Sequence, residues 1–179
     1  MSDPNAIIFE AAAFAARAHQ HQLRKDRETP YVSHPYRVCL VVRHVFGIDD
    51  PRILAAALLH DTIEDTTTDY DDLIERFGED VARWVATVSK DPRIEFEARE
   101  AKYREVLAAA DWQAKVVKLG DLYDNLGDCL HFPPKGQRKT ATKARLYLAA
   151  VLEGLPPEAQ RAVRLVEERL VALESRLTE

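Results

Sequence analysis

The chain has 179 residues, of which 46% are apolar and 31% charged, and a formal net charge of −5. That length suits one globular domain able to bury its own core, and the acidic balance argues against a general nucleic-acid binder, which carries a basic face. Two cysteines, six glycines and the lack of any apolar run near the ~20 residues of a membrane helix exclude a disulfide scaffold, a loop-rich all-β chain and a membrane span.

Met1 to Ala6 has neither the basic start nor the apolar run of a secretory leader. Cys39 and Cys129 both fall in apolar helical patterns and read as reduced, packed thiols. A cytoplasmic setting is the expectation, with no nucleic acid or membrane as partner.

Nearly every segment reads as helix. Ala6 to Gln22 is rich in alanine, and a polar loop covers Gln20 to Thr29. Pro35 sits where a first-turn proline would, opening a helix through Val45 that Gly47 is placed to stop. Asp49 or Asp50 can cap the next helix, with Pro51 in its first turn and the apolar run Ile53 to Leu59 behind it. Asp69 to Phe77 reads as a short amphipathic helix stopped near Gly78, and Asp80 to Lys90 as a separate one. Glu95 to Ala109, Trp112 to Leu130, Gln137 to Leu155 and Pro157 to Leu177 complete the chain, with a break over Phe132 to Gly136. No period-2 strand pattern, repeat or linker stands out, so residues 1–179 read as one all-α domain of about eight to ten helices.

Chemistry concentrates in three places. After the buried-looking run Ile53 to Leu59 come His60, Asp61, Glu64 and Asp65, paired at i, i+4 spacing and crowded on one side of the helix end. Three carboxylates and an imidazole beside a core need partners or a cation, and mixed nitrogen and oxygen donors suit Mn, Fe, Zn or Co. A bare His-Asp pair reads equally as an acidic, solvated helix end. The second place is Asp121, which interrupts an apolar stretch and shares a polar stripe with Asp124, Asn125 and Asp128; that stripe could face water or a pocket. The third is Arg24-Lys25-Asp26 followed by Pro30-Tyr31-Val32-Ser33-His34-Pro35, where His34 stands at a helix start and Arg24 and Lys25 could meet phosphate or stack on a base.

Taken together these strings resemble the HD-type hydrolase domain of the RelA/SpoT family, and most of all its small stand-alone alarmone hydrolases. The resemblance covers roughly residues 6 to 130. It rests on Ala18-His19, Arg24-Lys25-Asp26, Pro30 to Pro35, Ala56-Ala57-Leu58-Leu59-His60-Asp61-Thr62-Ile63-Glu64-Asp65-Thr66, Phe77-Gly78, and Val117-Lys118-Leu119-Gly120-Asp121 with Asn125. It implies an HD helical bundle and a metal, usually Mn2+, held by His34, His60, Asp61 and Asp121. It implies Glu64 and Asp65 as the catalytic carboxylates, Arg24 and Lys25 lining the nucleotide site, and Asn125 on the sugar. Small members of the family also use a basic or tyrosine side chain from the region of Lys143 and Tyr147. The implied reaction removes the 3′-diphosphate of guanosine tetra- or pentaphosphate.

Leu122 and Gly127 stand where the family carries basic residues, and Asp124 replaces a common His or Tyr. These changes leave the ligand set intact and are expected to make the presumed phosphate end more negative. They keep a second expectation in view, an HD phosphohydrolase of another nucleotide such as an NADPH phosphatase or a nucleotidase. A non-catalytic, nucleotide-sensing HD module would have lost a ligand or Glu64 and Asp65, and all six are present.

Overall fold

The computed structural model describes residues 3–178; Met1 and Ser2, part of the segment read above for a leader, and Glu179 lie outside it. Among the described residues there are nine α-helices and no strand beyond an isolated bridge between Leu23 and Pro30. In chain order they are α1 (Ala6–Ala18), α2 (Ser33–Leu40), α3 (Pro51–Leu59), α4 (Thr62–Asp65), α5 (Tyr70–Val88), α6 (Phe96–Ala108), α7 (Trp112–Asp128), α8 (Pro134–Val151) and α9 (Gln160–Thr178).

α3 is the centre of the bundle, packed against α1, α2, α5 and α7. Asp50 caps it, its side chain accepting the Arg52 N–H at 2.8 Å, with Pro51 at the position where no N–H is needed. Every residue from Ile53 to Leu59 is buried. Each of the four large aliphatic side chains in that run stabilises the fold by about 1.5–3 kcal/mol. At the far end the chain's own side chains satisfy carbonyls that would otherwise be orphaned. The His60 ring Nδ1 binds Ala57 O at 2.8 Å, and the Thr62 hydroxyl donates to Leu59 O at 2.7 Å. The helix therefore stops at Leu59, turns through His60 and Asp61, and restarts as α4.

α7 lies against α2, α3, α5, α8 and α9. Its approach to α2 depends on Gly120: a Cβ there would stand 3.0 Å from Val42 Cγ2 and 3.1 Å from Val38 Cγ1. This contact sets the distance between the side chain of His34 on α2 and that of Asp121, the next residue along α7.

Several boundaries differ from the sequence reading. α1 ends at Ala18, because His19 turns inward to bond Gln22 at 2.8 Å and His21 adopts φ 67. α2 continues as a π-helical turn over Val41–Phe46 before stopping at Gly47. The two helices expected on either side of Gly78 are joined across a kink at that residue, φ 81, and capped at Asp69 by a reciprocal box with Asp72. α8 starts at Pro134, three residues before its expected start, and α9 is preceded by a 3-10 turn over Pro157–Ala159.

Candidate metal centre and nucleotide cavity

The eleven residues that the resemblance gives a role as ligand, catalytic group or substrate contact line one cavity of about 330 Å3: Arg24, Lys25, His34, His60, Asp61, Glu64, Asp65, Asp121, Asn125, Lys143 and Tyr147. They come from the loop before α2, the start of α2, the α3–α4 turn, α4, α7 and the middle of α8.

At the floor, His34, His60 and Asp121 are buried and place one nitrogen or oxygen each within 4.8 Å of one another. Asp61 Oδ2 stands 3.1 Å from His60 Nε2 and 3.6 Å from His34 Nε2. Each imidazole is anchored through Nδ1 by a group that can only accept, Ala57 O for His60 and Asp124 Oδ2, at 2.6 Å, for His34. Neutral rings held this way carry the proton on Nδ1 and turn the Nε2 lone pair to the centre. His60 Nε2 is inaccessible to solvent and has no hydrogen-bond partner.

The electrostatics of the floor attract positive charge, either a proton on His34 Nε2 or a cation in its place. Burial lowers the pKa of His34, but hydrogen bonds with Asp121 and Asp124 outweigh it and hold the ring up to about 9. Burial likewise opposes ionisation of Asp121, yet buried Lys118 and the two imidazoles keep its carboxyl well below the usual range. The arrangement favours positive charge at its centre, and the donor set fits a divalent transition metal. His34, His60, Asp61 and Asp121 are the residues that could hold one.

Asp121 is fixed from two sides. Lys118 Nζ donates to its Oδ2 at 2.7 Å, and the Asn125 amide donates to Oδ1. The Tyr31 hydroxyl lies 2.7 Å from Asp61 Oδ2 and 2.8 Å from Asp65 Oδ2, sharing one proton between the two carboxylates. Burial and both carboxylates push its own pKa far up, so the phenol stays neutral. Glu64 accepts the Lys90 N–H through Oε2 at 2.9 Å, and its Oε1 is 3.7 Å from Lys90 Nζ. Burial raises the Glu64 pKa more than Lys90 lowers it.

Around the rim, Arg24 is paired with Asp128 at 2.6 Å and lies 5.5 Å from the Tyr31 ring centre, while Lys25 Nζ sits 4.6 Å above the Phe132 ring. On the opposite side Lys143 reaches Glu100 at 3.5 Å, and the Tyr147 hydroxyl donates to the same carboxylate. Tyr31, Arg37, Lys90 and Lys118 belong to the site although the sequence reading assigned them no role. Tyr31 and Lys118 stand inside the quoted strings, flanking His34 and Asp121. Lys90 reaches the cavity, and Arg37 stands behind it on Asp124, from positions with no local signal.

The three departures take a different form from that expected. Asp124 does not add free negative charge to the cavity: it is buried behind His34, and Arg37 clamps both its oxygens at 2.7 and 2.9 Å. Gly127 makes room for Arg169, whose Nη1 would lie 2.8 Å from a Cβ there and instead donates to Tyr123 O. Leu122 is buried and offers the cavity an apolar wall.

A helical bundle with this floor is the HD-domain class of hydrolase, and the HD domain family model matches residues 11–163. The chain belongs to that family, and within it to the small SpoT-like group. It is 42% identical over 157 residues to guanosine-3′,5′-bis(diphosphate) 3′-pyrophosphohydrolase MESH1 of Xenopus tropicalis, covering 87% of this chain and 88% of the relative. The Homo sapiens MESH1 is 40% identical over 172 residues, 95% of this chain and 94% of that one. The solved structure of a metazoan ortholog of SpoT, described as hydrolysing ppGpp and playing a role in starvation responses, superposes with a TM-score of 0.80 at 29% identity, covering 94% of this chain and 98% of that one.

No helix among the described residues is long and apolar enough to cross a membrane.

Proposed function

We propose that residues 1–179 form a single metal-dependent phosphohydrolase that removes the 3′-diphosphate from guanosine tetra- or pentaphosphate, with Mn2+ as its metal. One observation carries the reading: two buried imidazoles, each locked through Nδ1, turn their Nε2 atoms toward Asp121 inside the cavity that also holds Glu64 and Asp65. The names and extents of the relatives support the substrate.

His34, His60, Asp61 and Asp121 would hold the metal, which when bound supplies Lewis acidity toward phosphorus and water. Glu64 Oε1 is the proton acceptor for the attacking water. Its other oxygen is tied to the main chain and its raised pKa lets it take and release a proton nearer neutrality. Asp65, steadied by Tyr31, orients that water. The bond that breaks joins the sugar 3′ oxygen to the diphosphate; the hydroxyl goes to phosphorus and a proton to the 3′ oxygen. Lys143 and Lys90 supply positive charge on one side of the cavity and Arg24 and Lys25 on the other, to hold phosphates and base. Asn125 and Tyr147 complete the contacts with sugar and phosphate. The cytoplasmic setting belongs to the same proposal and rests on two buried, unpaired cysteines.

A second reading, the same hydrolysis on another phosphorylated nucleotide, is favoured by Leu122, an apolar wall where the family carries a base. A panel of guanosine tetraphosphate, GTP and NADPH, with products resolved by ion-exchange chromatography, separates the two. Diphosphate released from guanosine tetraphosphate alone supports the first reading. Turnover of NADPH or GTP alone replaces it with the second.

A further inference from the structure

We propose that the cleft between the end of α5 and the face of α6 is a second anion site, built for a small phosphate-class ligand such as diphosphate. The cleft has a volume of about 150 Å3 and is lined by Ser89, Lys90, Asp91, Arg99, Lys102 and Tyr103, with Ile94 and Val106 among its apolar walls. It is less than half the size of the central cavity and shares only Lys90 with it.

Arg99, Lys102, Tyr103 and Val106 fall at i, i+3, i+4 and i+7 on α6, so they form one continuous face toward α5. Lys90 on this lining is paired across the wall with Glu64, whereas Arg99 and Lys102 have no acid within ion-pair distance among the described residues, and Asp91 is already engaged. Arg93 binds Asp91 through both oxygens, each at 2.8 Å, and through its own N–H at 2.9 Å. Lys102 touches Asp91 only as a more distant charge. Arg99 Nε is inaccessible to solvent and has no acceptor, an uncommon state for a guanidinium donor. The neighbouring hydroxyls donate to main-chain carbonyls, Tyr103 to Val88 O at 2.7 Å and Ser89 to Val85 O at 2.8 Å, and neither oxygen accepts from Arg99 Nε. An anion of two or more charges satisfies Arg99 and neutralises Lys102, with Lys90 within reach from the shared wall. The space admits a diphosphate group and leaves a nucleoside outside.

Occupancy of the cleft would be felt in the central cavity. Lys90 holds Glu64 with its backbone N–H, while its Nζ lies 3.7 Å from Glu64 Oε1 and 4.8 Å from the Tyr103 ring centre. A diphosphate in the cleft draws Nζ away from Glu64. The site does not depend on which nucleotide the central cavity hydrolyses.

The test is calorimetric titration of the chelator-treated full chain with inorganic diphosphate, and in parallel with GDP. The background variant is Arg24→Ala/Lys25→Ala, which removes two central-cavity cations. Binding should persist there, and should weaken about tenfold or more when either Lys102→Glu or Arg99→Ala is added. Lys102 is exposed, so its charge reversal leaves the fold intact and decides the matter even if Arg99→Ala unfolds. Equal binding of GDP and diphosphate identifies a nucleotide's diphosphate end as ligand; binding of diphosphate alone identifies the free anion. Diphosphate affinity unchanged by Lys102→Glu overturns the proposal.

Discussion

Asp124 Oδ2 stands 2.6 Å from His34 Nδ1, on the side of the imidazole opposite the Nε2 that faces Asp61 and Asp121. Arg37 grips the same carboxylate and reaches on to Asp128 at 3.3 Å, and Asp128 in turn holds Arg24 at 2.6 Å. A chain of charged groups thus runs from the rim of the cavity to a side chain at its floor. Partners behind a metal-binding histidine fix its tautomer and typically contribute 10–100-fold in metal affinity. Asp124→Ala is therefore expected to weaken Mn2+ binding by about 10–100-fold, measured by titration of the chelated protein. Affinity equal to that of the unaltered chain would mean that Asp124 has no hold on His34.

Tyr31 is expected to matter through its hydroxyl alone. Its ring packs 4.9 Å from His19, and Phe can keep that contact. Hydrogen-bond partners of a metal-ligating carboxylate contribute roughly 10–100-fold in activity, so Tyr31→Phe should lower kcat about tenfold to a hundredfold. A variant as active as the parent would leave Asp61 and Asp65 positioned by other means.

The approach of α7 to α2 gives a prediction for stability. A valine at Gly120 would drive its side chain into Val38 and Val42, and overpacking of this kind costs about 1–3 kcal/mol. Gly120→Val should lower Tm, and because it pushes His34 away from Asp121 it should also weaken metal binding. A lowered Tm with unchanged metal affinity would separate the helix contact from the site.

Lys90 should set the acid limb of the pH profile. Glu64 accepts a proton only when ionised, so activity falls as pH drops through its pKa, which burial already raises. Lys90 acts in the opposite sense, and Lys90→Ala removes that counterweight. The limb of the kcat profile is expected to move to higher pH in the variant. A shift to lower pH would contradict the assignment of Glu64 as proton acceptor.

Much of this was legible in the sequence because local rules govern it. The Asp50–Pro51 start, the Gly47 stop and the buried Ile53 to Leu59 run are short-range features, and each stands in the structure. So is the gathering of His60, Asp61, Glu64 and Asp65 beside one cavity, although a broken helix end rather than a continuous one achieves it. What was not legible depends on contacts between distant segments. The role of Asp124 as the anchor of His34 needs α2 and α7 in register, and the Lys90–Glu64 pair needs the end of α5 folded back on α4. The π-helical turn over Val41–Phe46 likewise has no signature in residue spacing.

The most direct test of the account is diphosphate release from guanosine tetraphosphate by the chelated protein, followed with and without added Mn2+, for the unaltered chain and for Asp61→Ala. The account predicts release of GDP and diphosphate that requires Mn2+ and is abolished in Asp61→Ala at unchanged helical content. Full activity of Asp61→Ala, or equal turnover by the chelated protein without metal, would contradict it.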